Sequence, residues 1–209
     1  MGRRERRKEA VRRALLDAAI TLFTERGIHA ARVEDITEHA DLGKGAFYNY
    51  FPSKDALVAE LLHEGVDLLE REYLVGAATA STQSERIANV VGSHNAFFDE
   101  HPQYVLLFHQ ARGLLTLGRG GSDRMREVFG DYLRRIGALL EHPDPARPWS
   151  EDDRADFAAA VVGAIAGYRS YRLAAGHPPH AATIASVMTS GLPQLIRDRA
   201  GSPRGSEDT

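Results

Sequence analysis

Apolar residues recur at helical spacing along nearly the whole chain. Val11, Leu15, Ala18, Ala19, Leu22 and Phe23 share one face of a helix predicted from about Arg4 to Arg26, with Gly27 as its C-terminal cap. Ile87, Val90, Val91, His94, Phe97 and Phe98 form a second stripe, with Ser84 as its expected N-cap. Tyr104, Leu107, Phe108 and Ala111 form a third, and Pro102 suits its first turn. Met125, Val128, Phe129, Tyr132 and Ile136 follow Ser122. Phe157, Val161, Ala164, Ile165, Tyr168 and Arg172 follow Ser150, where acidic residues 151–153 favour a helix start. Ile184, Val187, Met188, Gly191, Leu192, Leu195 and Ile196 close the series, and Pro193 is expected to kink or shorten that helix. Breaks fall at 118–121, 143–148 and 176–179, rich in Gly and Pro. No stretch sustains a period of two, so the expected fold is all-α.

Between residues 28 and 57 the pattern shortens. Val33, Ile36 and Ala40 mark a helix of about two turns, too short to stand alone in water. Asp41-Leu42-Gly43 is a tight break, and a second short helix runs from Lys44 to about Tyr50 before Phe51-Pro52-Ser53-Lys54 opens a long one. Two short helices joined by a three-residue turn, shielded by a longer first helix, make a helix-turn-helix pattern. In that arrangement the second short helix enters the major groove. Phe47 and Phe51 lie four apart and can pin it to a core. Its other face carries Lys44, Gly45, Ala46, Tyr48 and Asn49, small residues that admit base edges and donors for bases and phosphates.

Charge strengthens this division. The chain has 209 residues and a formal net charge of −3, but residues 1–54 carry 11 Lys/Arg against 8 Asp/Glu, while residues 55–209 carry 15 against 21. A basic head precedes an acidic body. There is no cysteine, which excludes a disulfide framework and a thiol nucleophile. The charged N-terminus leads into no apolar run of a signal peptide, and the uncharged stretch 180–196 is too short and too polar to span a bilayer. The expected location is cytoplasmic, with no membrane partner.

The string Val33-Glu34-Asp35-Ile36 followed by Ala40-Asp41-Leu42-Gly43-Lys44-Gly45-Ala46-Phe47-Tyr48-Asn49-Tyr50-Phe51-Pro52-Ser53-Lys54-Asp55-Ala56-Leu57 resembles the DNA-binding domain of TetR-type transcriptional regulators. The resemblance covers roughly residues 10–60. It implies a three-helix DNA-binding head (1–54) and a helical ligand-binding and dimerisation body (55–200), with 201–209 expected to be a disordered tail. It further implies a homodimer on a palindromic double-stranded DNA operator, released by a small-molecule effector, most often acting as a repressor. Carried over residue by residue, phosphate contacts fall on Tyr48, Tyr50 and Lys54, with Lys44 close by. Base contacts fall on Gly45, Ala46 and Asn49, and the start of the first short helix adds Arg32 and Val33. Three positions depart from the family pattern. Ala31-Arg32 stands where the family usually has a Thr or Ser cap, Asp41 where it has Gly, and Gly43 where it has Ser. These changes are expected to alter half-site preference rather than abolish binding. The Arg-rich start, Arg3 to Arg13, is either an arm over the DNA or a solvated tail.

No nucleophile elbow, dinucleotide fingerprint, P-loop or zinc-protease motif is present, so no enzyme activity and no cofactor is expected. Glu60 and His63 have the Glu-x-x-His spacing of bundle di-iron sites but lack a second copy, so no metal site is expected. Ligand-contact candidates in the body are His94, Phe97, Phe98, Tyr104, Phe108, Arg112, Trp149, Tyr168 and Arg172, although aromatic residues at this spacing also serve simply as core. The small-residue run Ala158 to Gly167, with the apolar face of 184–196, is the candidate dimer seam. A helical-bundle enzyme, or a DNA-binding protein whose body only dimerises, are the alternatives.

Overall fold

A computed structural model describes residues 2–74, 80–116, 123–140, 148–178 and 180–190. Among them the chain is all-α: α1 (Arg3–Arg26), α2 (Val33–His39), α3 (Lys44–Tyr48), α4 (Lys54–Glu72), α5 (Gln83–Glu100), α6 (Pro102–Thr116), α7 (Asp123–Ala138), α8 (Glu151–Ala174) and α9 (Ala181–Ser190). None of these helices is long and apolar enough to cross a membrane. The described residues form two compact units, one made of residues up to 68 with 98–132, the other of 69–97 with the residues from 133 onward.

In the first unit, the α1 stripe is buried as its periodicity requires, with Leu15, Leu16, Ala19, Leu22 and Phe23 almost wholly enclosed. Ile36 of α2, Phe47 of α3 and Leu57, Val58, Leu61 and Leu62 of α4 are equally enclosed. The short helices thus gain from tertiary burial what their length denies them. Gly27 ends α1 at φ 85°, its N–H donating to Phe23 O. Along the solvent side, Arg12 pairs with Glu60 and Arg13 Nη1 lies 2.9 Å from Glu64, tying α1 to α4. A second cluster centres on Phe108, whose ring meets Phe98, Tyr104, Phe129 and Tyr132 edge-on at 6.0–6.3 Å. Gly65 lets the Tyr104 ring approach, since a Cβ there would sit 2.7 Å from it.

In the second unit, Ile87, Val90, Val91, Phe97, Ile136, Ala158, Val161 and Ile165 are buried. Ser150 caps α8 as expected, accepting from Asp153 N at 3.1 Å. The cap of α5 differs from the expectation: it is Thr82, not Ser84. Thr82 Oγ1 accepts from Glu85 N and Glu85 accepts from Thr82 N, a reciprocal capping box that fixes the start two residues earlier. The buried stripe of α8 also differs. It runs through Ala158, Val161, Ile165 and Arg169, while Arg172, placed on the stripe by sequence, sits at the helix end and donates to Pro178 O. Arg169 donates to Asn95 Oδ1 at 3.0 Å inside the unit. Ser122, Gly191 to Ile196, Pro193 and the tail 201–209 lie outside the described residues.

Candidate nucleic-acid interface

The turn between α2 and α3 is held by local backbone bonds, Asp41 N to Glu38 O at 3.0 Å and Leu42 N to Thr37 O at 2.8 Å. Asp41 adopts φ 54°, the left-handed region that Asp and Asn tolerate better than other non-glycine residues. The bend therefore survives the replacement of the family's glycine. Gly43 is the N-cap of α3 and offers no side-chain bond. At α2 no side chain at the N-cap position accepts from the first-turn amides, and the side-chain bond there is Asp35 Oδ2 accepting the N–H of Arg32 at 3.0 Å; the Arg32 side chain is exposed. Val33 beside it is half-buried.

Recognition helix α3 ends at Tyr48, two residues before the expected Tyr50. Its inner side is Phe47, fully buried and 5.8 Å from the ring of Phe51. Its outer side is Lys44, Gly45, Ala46, Tyr48 and Asn49. Tyr48 is 55% exposed and its ring meets Phe47 edge-on at 5.3 Å. Asn49 is exposed just past the helix, and Tyr50 is half-buried. A Cβ on Gly43 or Gly45 would meet no atom within 4 Å, so this face of the helix is open.

The charges around this face are not all at liberty. Lys44 forms an ion pair with Glu34 of α2. The bond holds the Glu34 carboxyl below the ordinary carboxylate range and the Lys44 ammonium above its ordinary value. Lys54, for which the resemblance implied a phosphate, is engaged differently. Its Nζ donates to Ile28 O at 2.7 Å, Ala31 O at 2.8 Å and, at 3.4 Å, His29 O. Burial pushes its pKa down, only partly opposed by Asp55. This ammonium closes the α1–α2 loop against the start of α4. Sequence reasoning missed that role because its partners are backbone carbonyls 23–26 residues upstream, which leave no mark in side-chain pattern. Ser53 opens α4 by accepting from Ala56 N at 3.1 Å. The Arg-rich start is helical from Arg3, with Arg3, Arg4, Arg6 and Arg7 exposed along the first turns of α1.

The ligand candidates divide between the two units. Phe98, Tyr104, Phe108 and Arg112 belong to the first, where the three rings are part of the Phe108 cluster. His94, Phe97, Trp149, Tyr168 and Arg172 belong to the second. His94 is wholly buried with Nδ1 2.6 Å from Val90 O, which accepts, so that nitrogen carries the proton. Burial lowers its pKa to about 4 against the opposing effect of the Val90 bond. Phe97 packs on Tyr73 at 5.6 Å and Trp149 on Phe157 at 4.6 Å, and the Tyr168 hydroxyl accepts from His180 N at 3.4 Å. Glu60 is paired with Arg12, and His63 Nε2 lies 3.5 Å from Asp67.

A short two-helix element with a pinned inner side and an open, polar, small-residue outer side defines a helix-turn-helix protein. Residues 15–61 match the family model described as bacterial regulatory proteins, tetR family. The transcriptional repressor KstR2 of Mycolicibacterium smegmatis is 33% identical over 104 residues, 49% of this chain and 51% of that protein. Across KstR2 relatives from three genera, the chain spans between 51% and 64% of their length. Among solved structures, the fatty acid degradation regulator FadR of Bacillus halodurans superposes with a TM-score of 0.67 at 18% identity, covering 87% of this chain and 96% of that one. FadR of Bacillus subtilis, in complex with stearoyl-CoA, does so at 0.61 and 17%, covering 85% and 97%. At these identities the likeness is one of fold.

Proposed function

We propose that the chain is a ligand-responsive transcriptional repressor that binds a palindromic operator as a homodimer and is released by a small-molecule effector. The observation that carries this reading is the outward face of α3, where Gly45 is open, Tyr48 is exposed on a buried ring and Asn49 is exposed at the helix end. In the proposed complex Gly45 and Ala46 allow close approach to base edges, and Asn49 donates and accepts there. Arg32 and Val33 meet the DNA from the start of α2. Tyr48, Tyr50 and Lys44 reach phosphates, Lys44 by exchanging Glu34 for a phosphate oxygen. Lys54 acts by positioning the α1–α2 loop. The exposed arginines of α1 lie over the DNA backbone.

Dimerisation is proposed through α8 and α9. Ala159, Ala160, Gly167 and Tyr171 of α8 are exposed, as is Val187 of α9, and a Cβ on Gly163 or Gly167 would meet nothing within 4 Å. Such a small-residue face admits a second helix closely, and a two-fold axis would then space the two α3 helices about 34–36 Å apart. The repressor assignment is supported by the KstR2 relatives, and the effector by a similar fold that holds stearoyl-CoA. Effector coupling of about 1–3 kcal/mol would weaken operator binding by roughly 5–150-fold.

Alanine at Asn49 and phenylalanine at Tyr48 test the division of labour on a set of operator variants. Asn49→Ala is expected to change the ranking of the variants, while Tyr48→Phe weakens all of them together. A uniform loss with Asn49→Ala would refute its assignment to bases.

A further inference from the structure

Within the first unit, the end of α1 and the loop after it face α6 across a cleft of about 520 Å³. Its floor is apolar, with Ile28, Ala30 and Leu114, and its polar lining is Arg26, His29, His109 and Gln110. Every one of those four side chains can donate a hydrogen bond, and no lining side chain is a carboxylate. The Gln110 Oε1 already accepts from Ile28 N at 2.6 Å, which turns its amide donors toward other acceptors. Arg26 lies 3.9 Å from Asp35, whose Oδ2 also accepts the Arg32 N–H, so the guanidinium is held only at long range. The volume falls in the range of small-molecule sites, about 300–1,000 Å³.

We propose that this cleft binds a small amphipathic carboxylate. The carboxylate is received by Arg26, His29 and His109, and its hydrocarbon part lies on Ile28, Ala30 and Leu114. A guanidinium and imidazoles pair with a planar carboxylate by charge-assisted bonds, and the apolar floor discriminates against a bare anion. The site lies apart from the aromatic cluster around Phe108 and stands whether or not the chain regulates a gene. An occupant there also braces a contact that matters to the head. The Ile28–Gln110 bond joins the loop feeding α2 to α6, and the same loop carries the carbonyls that Lys54 holds. Gly27, at φ 85° with the Gln110 amide 3.3 Å from where a Cβ would stand, permits that close seating.

The test is an amide NMR titration of the full chain with phenylacetate, raised to about 10 mM so that a site of millimolar affinity approaches saturation. Benzyl alcohol and inorganic phosphate serve as comparators. The proposal expects shifts clustered at residues 26–30 and 109–114 with phenylacetate. Each comparator produces at least several-fold smaller shifts at equal concentration, because one lacks the charge and the other the ring. Arg26→Gln with His109→Gln abolishes the response while leaving the remaining spectrum unchanged, which also shows that the variant is folded. Absence of clustered shifts, an equal response to phosphate, or a response retained in the double variant would each overturn it.

Discussion

Replacing Lys54 by Met separates two roles for one ammonium. The methionine keeps a long unbranched stem and removes the charge. Two of the three bonds made by Lys54 Nζ are short, 2.7 and 2.8 Å, and the third is 3.4 Å. A hydrogen bond with a charged donor is worth about 1.5–3 kcal/mol, and the burial that lowers this pKa subtracts from the total. A net loss of about 1–3 kcal/mol follows for a half-buried group, which lowers the melting temperature by roughly 2–12 °C in a chain of this size. The distinguishing assay is operator affinity as a function of salt. A removed phosphate contact reduces the slope of log K against log[salt] by about 0.9 per protomer. The geometry predicts that Lys54→Met weakens binding at every salt concentration, through a loosened loop, with the slope unchanged. A slope reduced by about 0.9 per protomer, with thermal stability intact, would refute this reasoning and return Lys54 to the phosphate backbone.

The remaining predictions use the same structure. Gly45→Ala adds a methyl that meets nothing and improves helix propensity, so stability is expected to stay constant or rise by up to about 1 kcal/mol, while operator affinity falls roughly 5–150-fold from the lost approach; unchanged affinity measured by anisotropy would contradict the placement of Gly45 against DNA. His94 is neutral in the folded state, with a pKa lowered to about 4 from 6.5. Its contribution, about 3 kcal/mol, is present above pH 6.5 and is lost as pH falls toward 4, since the unfolded chain binds the proton first. Urea unfolding between pH 7 and 5 is expected to show about 2 kcal/mol of this loss, and His94→Gln to flatten it; equal steepness in both proteins would exclude His94 as the source.

Much of the first unit was legible because its signals are local. The α1 stripe, Gly27 as its stop, Pro102 at the start of α6 and the Phe47–Phe51 pair each follow from spacing and sterics within a few residues. The helix-turn-helix was readable even where Asp41 replaces glycine, because Asp reaches the required positive φ. What escaped were partnerships across the chain. Lys54 meets carbonyls 23–26 residues away, and Gln110 reaches Ile28 over 82 residues. Periodicity states which side of a helix is covered and says nothing of which backbone atom waits there. For the same reason Arg169, which the predicted stripe of α8 does not include, is the arginine buried on that helix. Its partner Asn95 lies 74 residues earlier on another helix. The cap of α5 was misplaced by two residues because Thr82 and Ser84 are chemically equivalent caps, and only the reciprocal bond from Glu85 selects one.

The central claim is that the outer side of α3 reads a duplex. Selection of bound sequences from a random DNA pool by the full chain, at low ionic strength, puts it to trial. The account predicts enrichment of an inverted repeat whose half-site centres lie about one helical turn, or a multiple of it, apart. A pool that emerges no different from its input, or a protein that retains no duplex at all, would contradict it.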